Sequence, residues 1–149
     1  MALKPDRIEA YTDISFFMNE VAERGGVVVH VSSGSGVSMD DALALVAHPT
    51  GTEGNPAGLL LNDVVNYDLT KQHINWHKDE VQVGSKVTLL RQGQVTTNVV
   101  VSGVTPVAGE DAYFDADGEL TNVSGSVKVG RFLSTADADG YVKVDINIT

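Results

Sequence analysis

His73 and His77 lie four residues apart and flank Trp76, a spacing that on a helix would put two imidazoles on one face as metal ligands. Spacing fixes no third ligand, and Asp79 and Glu80 are merely adjacent carboxylates. In a β-rich chain, ordinary surface or interface histidines are the better account, so no metal site is expected. His30 sits inside a valine run with no serine or aspartate tied to it by a motif, and it reads as a hydrogen-bonded core or interface residue rather than a base. His48, before Pro49, reads as loop. Two Asp-x-Asp-Gly segments, Asp115 to Gly118 and Asp137 to Gly140, could offer carboxylates to calcium. Neither has the further oxygen ligands and closing glutamate of a calcium loop, and Asp with Gly is also what a tight β-turn demands.

Nucleophilic and phosphate chemistry fare no better. Asp40 with Asp41 and Glu110 with Asp111 are neighbours in sequence, and neighbours on a strand point to opposite faces, so spacing alone makes neither an acid–base dyad. Gly34-Ser35-Gly36 lacks the Lys-Ser/Thr ending of a P-loop. With no cysteine, thiolate catalysis, disulfides and the commonest structural zinc sites are absent. The chain therefore reads as a non-enzyme with no cofactor, better suited to binding or scaffolding than to chemistry.

The elements that carry these residues point to a small β protein. At 149 residues the chain is one domain in size. Twenty acidic against ten basic residues leave a net charge of -10, which would repel a phosphate backbone, so direct nucleic-acid binding is disfavoured. No apolar run approaches the roughly 18 residues of a membrane span, and Met1 to Asp13 lacks the apolar core of a signal peptide. A soluble protein made in the cytoplasm, without membrane contact, is expected. Fifteen glycines, four prolines and repeated short valine runs fit many short strands joined by tight turns.

Val27 to Val31 reads as one strand, and Leu59 to Val65 as another that restarts after an irregular loop from His48 to Gly58. Ala42 to Ala47 fits either a short helix capped by Asp40 and Asp41 or a buried strand. Val81, Val83, Val87 and Leu89 alternate with polar residues around Gly84-Ser85, a hairpin signal, and Arg91-Gln92-Gly93-Gln94 is expected to separate them from a strand over Val95 to Val101. Ala112 to Phe114 turns at Asp115 to Gly118 and resumes at Glu119 to Thr121. Lys128 to Leu133 leads across Thr135 to Gly140 into a last strand, with Val142, Val144, Ile146 and Ile148 on one face and Lys143, Asp145 and Asn147 on the other.

Over Thr12 to Gly26 a helix competes with an edge strand, since Ile14, Phe17, Met18 and Val21 sit at i, i+3, i+4 and i+7 and Gly25 provides a stop; the spacing favours the helix. The first dozen residues read as an arm. The expected architecture is mainly β: a small β-barrel or β-sandwich of short antiparallel strands over residues 27–149, preceded by an N-terminal arm with one short helix over residues 1–26.

The order of motifs carries more than any one of them. Pro56-Ala57-Gly58 leads into Leu59-Leu60-Leu61-Asn62-Asp63-Val64-Val65; Val83-Gly84-Ser85-Lys86-Val87 follows; then come Gly109-Glu110-Asp111-Ala112-Tyr113-Phe114 with Asp117-Gly118, Val129-Gly130-Arg131-Phe132-Leu133, and Asp139-Gly140-Tyr141-Val142-Lys143-Val144. This order resembles the head decoration, or cement, proteins of tailed bacteriophages. The resemblance covers residues 42–148 and, more loosely, Asp13 to Val31.

It implies a structural virion protein on the outer capsid surface that locks neighbouring major capsid proteins together, often as a trimer, with no catalytic residues. Within that reading the arm is the expected capsid contact, through Leu3, Lys4, Pro5, Arg7 and Ile8, and Ile14, Phe16, Phe17 and Met18 are the expected subunit interface. Deleting Met1 to Arg7 should then leave the domain folded and abolish attachment. Three other readings compete: a tail or fibre β module, a metal-binding module at His73 and His77, and a carbohydrate-binding domain stacking sugars on Trp76 with Tyr67 or Tyr113.

Overall fold

The computed structural model of the chain describes residues 3–4, 6–20, 22–31, 45–47, 55–63, 80–81 and 86–148. Among them there are strands and no α-helix. The strands are β1 (Ile8–Met18), β2 (Ala22–Glu23), β3 (Val27–Val31), β4 (Leu45–Ala47), β5 (Pro56–Asp63), β6 (Glu80–Val81), β7 (Lys86–Thr97), β8 (Asp111–Phe114), β9 (Leu120–Thr121), β10 (Gly130–Phe132) and β11 (Val142–Asn147). Nine form one mixed sheet in the order β1-β4-β3-β5-β7-β11-β10-β8-β9, and β2 pairs with β6 apart from it. β1 and β4 run parallel. β1 also pairs antiparallel with β7, which brings the first strand of that order back to the fifth and makes a partial ring. β7 then continues out of the ring into β11, β10, β8 and β9.

Burial explains why some strands read as unbroken apolar runs and others as alternating ones. Val28, Ala57, Leu60, Val87 and Leu89 belong to one core cluster with Met18, Ala22 and Val46. Their immediate neighbours Val27, Val29, Leu59, Leu61 and Leu90 belong to a second, larger cluster with Phe114, Leu120, Phe132, Val142, Val144 and Ile146. Since successive side chains leave a strand on opposite sides, β3, β5 and β7 are covered on both faces, and only apolar residues suit both. β11 is covered on one face, and its burial alternates strictly from Val142 to Asn147, as the sequence pattern indicates.

Several elements differ from the sequence reading. The helix expected within Thr12 to Gly26 is absent: residues up to Met18 form β1, because the long edge of β7 offers Thr12, Asp13, Phe16 and Phe17 antiparallel partners. The helical stripe also fails as a buried face, with Ile14 52% exposed. Arg91 to Gln94 is no separator. β7 runs straight through it, with Gln92, Gly93 and Gln94 paired to β11 on one edge and to β1 on the other. β7 ends at Thr97, and β6 pairs with β2; the hairpin expected around Gly84-Ser85 lies outside the described residues. The strand after the His48 loop starts at Pro56 rather than Leu59, and Leu45 to Ala47, which left helix and strand open, is strand.

Candidate functional site

The N-terminal segment and β1 together form the candidate site. Leu3 is 5% exposed and makes an antiparallel bridge to Thr97, inside the larger core cluster. The Lys4 N–H donates to the Thr96 carbonyl at 2.9 Å. Its ammonium lies 3.3 Å from Asp137 Oδ2 and 4.6 Å from the centre of the Tyr141 ring. Thr96 Oγ1 donates to Asp6 Oδ2 at 3.4 Å. The segment read as a free arm is thus a strap, built onto β7 and reaching the turn before β11. Arg7 and Ile8 are its outward part: Arg7 Nε is 2.6 Å from Glu9 Oε1, and Ile8 is 58% exposed. Pro5 lies outside the described residues.

Along β1 the large exposed hydrophobic residues are Ile8, Tyr11 and Ile14. A regular strand would not put residues three apart on one face. Ile8 to Tyr11 are all exposed, so both faces of β1 meet solvent there, and register shifts between Glu9 and Tyr11, Tyr11 and Thr12, and Asp13 and Phe16 interrupt the regular alternation. A depression of about 520 Å³ lies alongside, lined by Ala10, Tyr11, Arg91 and Gln92. Of the lining residues, Arg91 meets Asp13 at 3.9 Å, and Asp13 accepts from the Ser15 N–H at 2.8 Å. Burial alone would raise the Asp13 carboxyl; the Ser15 hydrogen bonds and the Arg91 charge outweigh it and hold the carboxyl below its ordinary value.

The four residues expected at a subunit interface divide. Ile14 is open to solvent; Phe16 and Phe17 are half-buried, Phe16 against the His30 ring at 5.4 Å and Phe17 under Lys86 Nζ at 5.8 Å. Met18 is fully buried in the smaller core. His30 is exposed on β3 rather than in the core; partial burial and the Arg91 charge push its imidazole below the ordinary value.

Both Asp-x-Asp-Gly segments spend their first carboxylate on their own backbone. Asp115 Oδ1 accepts from the Asp117 and Glu119 N–H groups, and Asp137 Oδ1 from those of Asp139 and Tyr141, all at 2.9 Å. Gly118 and Gly140 close the turns at φ 78° and 83°, a conformation that favours glycine. Glu110, just before β8, and Asp111, its first residue, have separate partners: Glu110 accepts from Val107 N–H and Asn122 Nδ2, while Asp111 meets Lys128 Nζ at 2.8 Å. Tyr113 is half-buried on β8. His73, Trp76, His77, Asp79, Tyr67, His48, Asp40, Asp41 and the Gly34 loop lie outside the described residues. Among the described residues no group of three or more His, Asp or Glu side chains could hold a metal ion.

The sequence reading missed Tyr11 as part of the exposed stripe, and Asp137 with Tyr141 as the strap's receptor. Bulges hide the first, and the second is a contact across 133 residues of chain that no local pattern announces.

A family model described as "Structural cement protein (E217 gp24/Pam3 gp6)" matches residues 6–147 of the chain. No individual curated protein matches it.

Proposed function

The chain belongs to the phage structural cement proteins, a family of virion capsid components and not of enzymes, and from that premise we propose that it binds the outer surface of the head as a homotrimer that ties neighbouring major capsid proteins together. The match over residues 6–147 carries the capsid role; the exposed stripe of Ile8, Tyr11 and Ile14 supports association through β1. A shell packed with DNA is under outward stress, and contacts that must break before the shell opens add their binding free energy to its stability. Three attachment points on one oligomer make each later contact effectively intramolecular, so individually weak contacts release slowly.

In this reading Ile14, with Phe16 and Phe17 behind it, forms the subunit interface, and Met18 supports it from the core. Arg7 and Ile8 are the part of the N-terminal segment that meets the capsid, anchored by Leu3 and Lys4; Pro5 belongs to the same stretch of sequence. The acidic remainder faces solvent and keeps free protein soluble before assembly.

Light scattering of the purified protein, followed by co-sedimentation with capsids prepared without it, tests this. The expected result is a trimer that saturates capsid sites. A monomer that stays in the supernatant would overturn both the oligomer and the attachment through β1.

A further inference from the structure

The strap and its receptor form a self-contained pair. The receptor is the β7 edge at Thr96 and Thr97, with Asp137 and Tyr141 beside it; the ligand is the two-residue segment Leu3–Lys4. Every contact of the pair joins residues 3–4 to residues distant in sequence, so the receptor would accept the same segment from another copy with the same bonds.

The connection between strap and β1 is out of step with the ladder it runs beside. Leu3 faces Thr97 and Ile8 faces Gln94. The chain therefore takes five steps from position 3 to position 8 while β7 takes three from 97 to 94, leaving slack that the ladder does not use. Pro5 within it has no N–H to give to any partner. Extended, five residues reach about 17 Å. Directly after this connection comes the exposed apolar stripe of β1, the surface to which the preceding section assigns a neighbouring copy. A copy packed there through its own β1 would carry its acceptor edge close by, since Ile8 of β1 pairs with Gln94, three residues from Thr97.

Resting on that oligomer reading, we infer that the Thr96–Thr97 edge with Asp137 and Tyr141 is an acceptor site for the Leu3–Lys4 segment of a second copy, so that straps are exchanged between subunits of the assembled protein. Exchange interlocks the subunits without any contact beyond those of the single chain. It gives a cysteine-free protein a link between copies that breaks only when a core residue, Leu3, is withdrawn.

The absence of native cysteine makes the test direct. Leu3→Cys with Thr97→Cys places one thiol on each side of the bridge, and the oligomer is oxidised and run on a non-reducing denaturing gel. Exchange gives covalent multimers as the main product. A monomer band holding an internal disulfide, from material that scatters as an oligomer, overturns exchange and leaves the oligomer reading standing. Material that scatters as a monomer overturns both. Both sites are buried, so the pair Lys4→Cys with Thr96→Cys, one residue along the same contact and less buried, serves if the first fails to fold. Unlinked chains from both pairs also count against exchange.

Discussion

Gly93 lies directly against the main chain of Ile8: a Cβ at position 93 would collide with the Ile8 carbonyl oxygen and stand 3.0 Å from Leu90 Cδ1. Its φ of 151° is also one that side chains rarely adopt. At this point β7 carries β1 on one edge and β11 on the other, so Gly93 is where the ring and its extension meet. Gly93→Ala should cost about 3 kcal/mol through strain and displacement of β1, seen as a fall in Tm of roughly 10 °C. Gly125→Ala, with nothing within 4 Å of its added carbon, should leave Tm unchanged.

Leu3 gives a second stability prediction. Because it is a core residue, removing the first seven residues is not the neutral truncation that a free arm would allow. Leu3→Ala should cost about 2 kcal/mol, the low end for a buried leucine, since a chain end can relax around the loss. Denaturant unfolding of the full-length protein measures it. A cost below a few tenths would mean that the strap is not docked in solution.

Acid should destabilise the fold in a defined window. The carboxyls of Asp13, Glu110, Asp111 and Asp137 are all held below their ordinary values: Asp13 by Ser15 and Arg91 against the opposing effect of burial, Glu110 by Asn122 and Val107, Asp111 by Lys128, and Asp137 chiefly by the Tyr141 N–H. A group more acidic folded than unfolded contributes stability that is fully present above its unfolded value, here 3.8 to 4.5, and is lost as pH falls through the folded value. Tm should therefore be flat with respect to these groups from pH 7 to 5 and fall below about 4.5. Among the described ion pairs Asp13 is the least exposed acid, so Asp13→Asn should cost about 1 kcal/mol at pH 7, a difference that shrinks as pH falls below the unfolded value of 3.8.

How much of this was legible in the sequence depends on where each element's partners lie. The alternation from Val142 to Ile148 needs only one buried face, and the turn Asp115 to Gly118 is closed by Asp115 itself, so both show locally. Arg91 to Gln94 looks like a loop because three of its four residues are polar. It is strand because Ile8 to Tyr11 and Asp145 to Asn147 arrive on its two edges from far along the chain. β1 misled for a related reason: Ile14, Phe17 and Met18 have helical spacing, but Phe17 and Met18 are held as strand by partners far along the chain, Lys86 on β7 and Leu45 and Val46 on β4. Within the candidate site, the charges of Lys4 and Arg7 are legible in the sequence, and so is the segment that carries them. Leu3, the residue that fixes the segment in place, looks like any other leucine until Thr97 is set beside it.

Glu119 should behave opposite to the other acids. Burial, and then the charges of Asp115 and Asp117, push its carboxyl above the ordinary value. A carboxyl raised in this way opposes folding once ionised, so its penalty applies at neutral pH and disappears as pH falls below the unfolded value of 4.5. Glu119→Gln removes the charge and keeps the backbone N–H that Asp115 accepts. Tm should rise by about 1 °C at pH 7, a surface-sized effect, and should match the parent near pH 3.

The exposed stripe of β1 gives the functional prediction. Ile8, Tyr11 and Ile14 are each more than half exposed, and so is Val123 at the other end of the sheet order, after β9. If exposure alone governed association, a charge at any of these positions would act alike. With β1 as the subunit interface, Ile14→Asp should leave thermal unfolding of the monomer nearly unchanged, because the side chain already meets water. In the oligomer it would bury an unpaired carboxylate at every interface, a cost that shifts the protein to monomers in light scattering. Loss of multivalency should then reduce retention on capsids by at least about tenfold, the equivalent of 1.4 kcal/mol. Val123→Asp, carrying the same charge away from β1, should retain both the oligomer and the attachment.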